Sequence, residues 1–179
     1  PFAPYQQRWT GYFNRLYAHL RLYCIDITAG IQPLVYESVD PLLSSGSMIF
    51  SGNSQPLPRV TIGIDQYIPF PGGYGYMEIK GGLTHAWMAD NVYIQGGYLH
   101  HKFLGLRFGG QLPVNLSYEF HHAAEWGGFS PLYGDVGSDF RSFLNVVMAK
   151  GGGTMANDQN NAQGNHVGSQ QFALTAKGQ

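Results

Sequence analysis

The chain of 179 residues carries only 12% charged residues, a formal net charge of −1 and a single cysteine. A soluble domain usually has about 25% charged residues, so something other than a charged surface forms most of the exterior. The lack of any run of Lys and Arg argues against a nucleic-acid partner, and the lone Cys24 excludes an internal disulfide framework and a cysteine-based zinc site.

Alternation of polar and apolar residues predicts β-strands through the first half of the chain. The first two predicted strands cover residues 12–23 and 24–32, each roughly ten residues long, and Pro33 ends the second because proline has no N–H for the ladder. The pattern resumes at residues 59–67 and, after a turn rich in Pro and Gly, at residues 76–84. We therefore expect a meander of antiparallel strands.

Three further strands are predicted in the second half of the chain. Within residues 98–110, Arg107 falls on the opposite parity to Lys102, which predicts a β-bulge. Residues 114–121 alternate most clearly. Residues 166–177 predict a last strand whose outer edge has no partner after it.

One segment breaks the period of two and predicts a short helix at residues 138–150. Ser138 can cap it, and the apolar residues Phe140, Phe143, Leu144 and Val147 recur at helical spacing. Three consecutive glycines end the helix, and residues 151–164 are polar and predict a long loop. No domain boundary is visible, so residues 1–179 are expected to form a single segment.

The predicted fold class is all-β, an antiparallel meander from a transmembrane barrel of the outer-membrane type. Soluble sandwiches also alternate, so three other features decide. Segments of about ten residues match tilted strands that cross a bilayer, the polar face carries charges of both signs, and aromatic residues gather near segment ends. In lipid every backbone group must pair within the protein, which requires a closed sheet.

The size of the barrel stays open between two alternatives. A complete small barrel of about eight strands is one of them. The helix and the long loop favour a larger barrel, of which this chain would form roughly half. The start of the chain shows no signal-peptide pattern, which favours an internal stretch of a longer protein.

A series of segments resembles one known family. In order they are residues 46–59 (GSMIFSGNSQPLPR), residues 80–85 (KGGLTH), Asp90, residues 99–102 (LHHK), the Trp126-Gly127-Gly128 turn and residues 164–168 (GNHVG). With these segments the chain is similar to the Wzi-type capsule-assembly family. The match runs through most of the chain, and such a series is more specific than any single element. The LHHK segment looks like the version found in Bacteroidetes.

The resemblance implies a β-barrel of about 18 strands in the outer membrane of a Gram-negative bacterium, with a polar, plugged lumen. It implies a lectin-like, non-catalytic role in the assembly or surface attachment of capsular polysaccharide, with no cofactor. The implied partners are surface or capsular polysaccharide and outer-membrane lipid. Family members are considerably longer, so the resemblance also implies that this chain is truncated at both ends.

Charged residues on the predicted strands are candidates for a polar network in the lumen. They are Arg59, Asp65, Glu78, Lys80, Lys102 and Glu119. Charges on the polar face of a barrel must pair, and no cleft signature accompanies them, so a network is favoured over the paired carboxylates of a glycosidase.

The seven histidines invite a metal site, but their spacing argues against one. Neighbouring residues of a strand point to opposite faces, so neither His100-His101 nor His121-His122 can chelate one ion. We expect no metal, and partly buried, hydrogen-bonded histidines in the lumen instead.

Aromatic residues near the predicted loops are candidates for carbohydrate binding, which usually combines an aromatic platform with adjacent polar groups. They are Trp87, Tyr93, Trp126, Phe129 and Tyr133. The alternative for each is anchoring at the membrane interface. No Gly-x-Ser-x-Gly elbow, P-loop or dinucleotide fingerprint is present in the sequence.

Two other functions stay open at this point. One is an outer-membrane hydrolase that acts on lipid or glycan with a histidine and a carboxylate in a water-filled pocket. The other is a soluble β-barrel carrier with a polar exterior and a dry apolar interior. The three interpretations differ first in which face of the sheet meets solvent.

Overall fold

The computed structural model describes residues 13–33, 42, 46–51, 54–152 and 161–177. In this part of the chain the fold is all-β with one short helix, as the sequence predicts. The elements are β1 (Leu16–Leu22), β2 (Ile25–Ile31), β3 (Pro58–Pro69), β4 (Met77–Trp87), β5 (Tyr98–Phe108), β6 (Val114–Trp126), β7 (Phe129–Ser130), β8 (Gly134–Asp135), α1 (Phe140–Val147) and β9 (Asn165–Ala176). No helix of the described residues is long and apolar enough to cross a membrane.

Seven of these strands form one antiparallel sheet in the order β1-β2-β3-β4-β5-β6-β9, while β7 and β8 form a separate hairpin. Each strand up to β6 pairs with its neighbour in sequence, which is the predicted meander. The chain leaves the sheet after β6, forms the hairpin and α1, and returns as β9 beside β6. Among the described residues, β1 and β9 are the outer strands, and the sheet is not closed.

The two ends of the sheet differ in the length of their connections. At the short-turn end, a two-residue turn with Tyr23 in the left-handed region (φ 55°) joins β1 to β2, and the other turns cover residues 70–76 and 109–113. At the long-loop end, residues 88–97 join β4 to β5 and residues 127–164 join β6 to β9. The long connections between the strands described above therefore lie at one end of the sheet.

The strand register gives the sheet a polar face and an apolar face. The polar face includes Asp26, Thr28, Arg59, Thr61, Glu78, Lys80, Thr84, His101, Arg107, Glu119 and His121. On the apolar face, the aliphatic and aromatic side chains of β1 to β9 form what we call the apolar band, with Leu20, Ile27, Ile62, Ile79, Leu104, Leu116 and Leu174 among its members.

Burial on the two faces is the inverse of that in a water-soluble sheet. Most of the polar-face residues named above are buried, whereas Ile62, Leu104 and Leu116 of the apolar band are 48%, 41% and 51% exposed. A soluble antiparallel sheet packs its apolar face on the core and exposes the polar one. The apolar band therefore needs a cover other than water.

Two predictions about the strands are wrong. β1 and β2 have 7 residues each rather than about ten, and Tyr12 lies outside the described residues. No bulge occurs at Arg107, because β5 pairs without a shift with both β4 and β6. The register shift lies instead in β3, between Ile64 and Ile68. Arg107 differs in parity from Lys102 because Lys102 lies on the apolar face, which carries polar residues near the long-loop end.

The helix is shorter than predicted and has a different cap. α1 spans Phe140–Val147, and Asp139 rather than Ser138 is its N-cap, since Asp139 Oδ1 accepts a hydrogen bond from the backbone N–H of Ser142 at 2.7 Å. This bond lowers the pKa of the Asp139 carboxyl below its usual value. Ser138 Oγ accepts instead from a backbone N–H of the turn after β6. Of the predicted loop 151–164, residues 153–160 lie outside the described residues.

α1 lies against the apolar face at the long-loop end. The buried cluster there consists of Ala124, Trp126 and Val146, with Tyr98 and Phe143 packed against it. Lys102 Nζ donates a hydrogen bond to the carbonyl of Val147 at the end of the helix, where a cation is favourable. α1 therefore covers the strand positions at which the apolar face carries polar side chains.

Candidate functional site

The five aromatic candidates all lie at the long-loop end of the sheet. Trp87 ends β4, Tyr93 lies in the loop after β4, and Phe129 and Tyr133 lie in the β7–β8 hairpin; these four side chains are exposed. Trp126, the last residue of β6, is only 7% exposed. Of the five, Trp126 and Tyr133 line a common cavity and the other three do not.

This cavity, which we call the end cavity, has a volume of about 570 Å³ and lies between the 88–97 loop, the β7–β8 hairpin and the start of β9. Ligand pockets in proteins usually measure about 300 to 1,000 Å³. The apolar lining comes from Met88, Ile94, Trp126, Tyr133 and Val136, and the polar lining from Asn91, Glu125, Ser130, Gln163 and Asn165. Glu125 is the one charged side chain among the described lining residues.

Backbone hydrogen bonds hold two walls of the end cavity together. Gln95 and Phe129 exchange both N–H···O bonds, at 2.8 and 2.9 Å. Asn91 Oδ1 accepts from two backbone N–H groups of its own loop, at 2.8 and 2.9 Å. Gly128 has a φ of 88°, and a Cβ there would lie 2.5 Å from the carbonyl oxygen of Gln95, so only glycine permits this approach.

Two buried donors of the lining residues have no hydrogen-bond partner among the described residues: Trp126 Nε1 and Gln163 Nε2. The Gln163 residue is 2% exposed. Its Oε1 accepts from Asn145 Nδ2 of α1 at 3.2 Å, which fixes the orientation of the amide. Leaving a buried donor unpaired costs about 1 to 3 kcal/mol. Both N–H groups are therefore unpaired within the described part of the chain and shielded from solvent.

The indole of Trp126 is held from behind by other rings. Its centroid lies 4.9 Å from that of Tyr98, 5.7 Å from that of Phe143 in α1 and 5.9 Å from that of His85. Aromatic pairs at these distances stabilise one another beyond simple burial. α1 thus fixes one wall of the end cavity although it lies behind it.

On the polar face, Glu119 is the centre of a polar network. Its Oε1 lies 2.7 Å from Lys80 Nζ and accepts a hydrogen bond from the Tyr67 hydroxyl at 3.1 Å, and its Oε2 lies 3.4 Å from His121 Nε2. Lys80 and Glu119 are both buried, and His121 is fully buried. Because the carboxylate has a cation and two further polar contacts, its burial is compensated.

The other predicted network residues are placed in three ways. Arg59, Asp65 and Lys80 line a cleft of about 310 Å³ on the polar face. Glu78 pairs with Arg107 at 2.6 Å, a partner that the sequence pattern did not suggest. Lys102 lies on the opposite face of the sheet and is bonded to α1, so the prediction that it belongs to the network is wrong.

The histidines form clusters across strands. On the polar face the rings of His101 and His121 stack with centroids 5.5 Å apart. On the apolar face, behind α1, His122 Nε2 lies 2.8 Å from His166 Nδ1, and His100 faces the same side of the sheet. Neighbours in sequence do point to opposite faces, but the register brings histidines of different strands together, which single strands do not reveal.

In the described part of the chain, no group of three or more His, Cys, Asp or Glu side chains is arranged to hold a metal ion.

The chain matches no protein-family model, no curated protein and no solved structure. The similarity of its segments to the Wzi-type family therefore stays a prediction from sequence. Sequence reasoning also missed most of the end cavity. Gln163 lies in a loop and Ser130 in the short strand β7, neither within a motif, whereas the Trp126-Gly127-Gly128 turn, Tyr133 and residues 164–168 were marked in advance.

Proposed function

We propose that this chain forms part of the wall of an outer-membrane β-barrel in a Gram-negative bacterium, and that its long-loop end binds capsular or other surface polysaccharide without catalysis. In this role the protein assists the assembly or surface attachment of the polysaccharide, as in the Wzi-type family that the sequence resembles. Its partners are the polysaccharide and outer-membrane lipid.

The inverted burial of the sheet carries this proposal. Lys80 and Glu119 pair in a buried position on the polar face, while the apolar band is open. In water, exposed apolar surface costs about 25 cal/mol per Å², so a row of exposed Leu, Ile and Phe side chains is unfavourable. In a barrel wall, lipid covers such a band and paired charges face the interior.

The dimensions of the band fit a bilayer only when α1 is included. In β6 the apolar positions run from Val114 to Phe120, roughly 20 Å along the strand, whereas a lipid-facing band is about 25 Å tall and its strands are tilted. The exposed side chains of Phe140, Leu144 and Met148 lie four residues apart on α1 and its end. Placed over the polar end of β5 and β6, they extend the apolar surface.

The difference between the two ends supports an orientation. Outer-membrane barrels have short turns on the periplasmic side and longer loops outside the cell. The end cavity and the exposed side chains of Tyr93, Phe129 and Tyr133 all belong to the long-loop end. In this orientation they face the surface polysaccharide.

A hydrolase is the second candidate, and the contact between Glu119 and His121 is the observation in its favour. That pair is buried, and its carboxylate is already bound to Lys80 and Tyr67, which is the arrangement expected of a structural network. A soluble carrier would turn its apolar face inward, whereas here the polar face is the more buried one.

The test is binding of capsular polysaccharide from the host by the full-length protein, folded in detergent, measured by calorimetry. A variant with Tyr93→Ala and Tyr133→Ala removes exposed rings at the long-loop end. The matched control carries Tyr23→Ala and Tyr74→Ala, two exposed tyrosines at the short-turn end. Saturable binding that only the first variant weakens supports the proposal, and no binding by a folded protein overturns it.

A further inference from the structure

We propose that α1 and the turn after it bind a phosphate-bearing lipid of the outer leaflet, whose acyl chains lie on an exposed apolar stripe of the helix and whose phosphate is held by Arg141 and Lys150. The inference rests on the proposed function, because it requires lipid outside the barrel wall, and it names one lipid site there. Three features carry it: the apolar stripe, the position of the two cations and the charge of the segment.

The apolar stripe of α1 lies on the side of the helix that faces away from the sheet. Phe140, Leu144 and Met148 recur every four residues and are 73%, 46% and 61% exposed. Ser142 and Val146, on the opposite side, are buried. A surface helix in water carries polar side chains on its outer side. A helix at a membrane interface instead buries an apolar side among acyl chains.

Arg141 lies at one edge of this stripe. With 3.6 residues per turn, Arg141 is about 20° from Met148 around the helix axis, and Asn145 is about 40° further in the same direction. Asn145 Nδ2 donates a hydrogen bond to Gln163 Oε1 at 3.2 Å, so this edge of α1 faces the connection of residues 127–164. Arg141 is therefore on the edge of the stripe that is nearest to the long loop.

Lys150 lies on the same side of the stripe. Its backbone N–H donates to the carbonyl of Asn145 at 2.8 Å, and its carbonyl accepts from the N–H of Gln163 at 3.0 Å. The side chains of Arg141 and Lys150 are both exposed. Long basic side chains lay their stems on apolar surface and extend their charged ends to the membrane interface. In the proposed orientation, both charges would therefore reach the lipid headgroups of the outer leaflet.

The charge of the segment favours an anionic headgroup. Residues 138–150 contain two basic side chains and one carboxylate, Asp139, which already accepts the capping bond from Ser142. Lys102 adds a third cation at the carbonyl of Val147. Basic side chains near a membrane surface attract anionic lipids. Phosphate oxygens suit them because guanidinium and ammonium groups form charge-assisted hydrogen bonds with phosphate. The apolar stripe beside the cations favours a lipid over a phosphorylated glycan without acyl chains.

The experiment is a titration of the full-length protein in neutral detergent with diphosphorylated lipid A, dephosphorylated lipid A and phosphatidylcholine, with the bound fraction measured by native mass spectrometry. We expect diphosphorylated lipid A to bind at least about tenfold more tightly than the other two lipids. Arg141→Gln combined with Lys150→Gln should remove this difference and leave the binding of dephosphorylated lipid A unchanged. Lys150→Gln alone, beyond the end of the helix, should weaken the binding of diphosphorylated lipid A about threefold.

The matched control is Arg15→Gln combined with Lys177→Gln, which removes the same charge from two exposed side chains outside α1. It should leave the binding of all three lipids unchanged. Arg141→Lys combined with Lys150→Arg keeps both charges and should retain the preference for phosphate. Leu144→Ser should weaken the binding of both forms of lipid A, because it removes apolar surface from the stripe. Amide exchange in α1 shows whether the helix persists in each variant.

The outcomes for the inference and for the proposed function are distinct. If the two forms of lipid A bind equally well, or if the control pair weakens binding as much as the change at Arg141 and Lys150, the inference is wrong. The proposed function then stands as long as the host polysaccharide binds. If the host polysaccharide does not bind to the folded protein, the proposed function itself fails whatever the lipid result.

Discussion

Replacing Leu104 by arginine tests whether the apolar band meets lipid. Leu104 is 41% exposed on the apolar face of β5, between β4 and β6. Burial of a whole leucine side chain contributes about 1.5 to 3 kcal/mol, so the lost contact of its exposed part with lipid costs about 1 kcal/mol. An arginine substitution on the lipid face destabilises a barrel by about 2 to 4 kcal/mol in total, and this total includes the lost leucine contact. In water the same exposed substitution changes stability by about 0.5 kcal/mol at most.

The assay is reversible unfolding by guanidinium in phospholipid vesicles, with the free energy of unfolding as the readout. Leu112→Arg is the matched control, because Leu112 is exposed in the 109–113 turn outside the apolar band. We expect Leu104→Arg to lose about 2 to 4 kcal/mol and Leu112→Arg to lose less than about 1 kcal/mol. Equal effects of the two substitutions would refute a lipid-facing band.

Three further predictions concern the polar network around Glu119 and the helix α1. Lys80→Met should lower the free energy of unfolding by about 3 kcal/mol because it leaves the buried Glu119 carboxylate without its cation, and adding Glu119→Gln should restore part of the loss in a denaturant titration. Phe143→Ala should cost about 1 to 3 kcal/mol and expose α1 to protease, whereas Phe140→Ala, at an exposed ring, should have little effect in detergent. The pKa of Asp139 is lower in the folded state than in the unfolded state, so its cap stabilises α1 above the unfolded pKa and this stabilisation is lost as the pH falls through the folded pKa. Amide exchange in α1 should therefore accelerate in acid. Asp139→Asn should remove that dependence on pH.

The sheet could be predicted from sequence because alternation records which side of a strand each residue faces. Val114 to His121 alternates without a break, and β6 forms there. Strand parity fails where both faces carry polar residues, as at Lys102 and Arg107 of β5, since polarity then no longer identifies the face. The register shift between Ile64 and Ile68 leaves the apolar pattern of β3 nearly intact, so no sequence signal indicated it.

The candidate site was predictable only in part. The aromatic candidates could be assigned to loops because Trp87 and Trp126 close long alternating runs, and both lie at the long-loop end. The end cavity could not be predicted, because it depends on Gln163 returning beside Trp126 after a loop of nearly forty residues. Contacts of this kind are set by tertiary packing, which no local pattern encodes.

α1 explains why the two faces of the sheet are not uniform. At the long-loop end the apolar face carries His100, Lys102 and His122, which would be unfavourable in contact with lipid. α1 covers the first two: Phe143 packs on His100 with ring centroids 6.0 Å apart, and Lys102 bonds to the end of the helix. The same helix holds the Trp126 wall of the end cavity. Under the proposed function, this helix both shields the polar strand ends from lipid and supports the long-loop end that binds polysaccharide, so loss of its packing should affect both roles together.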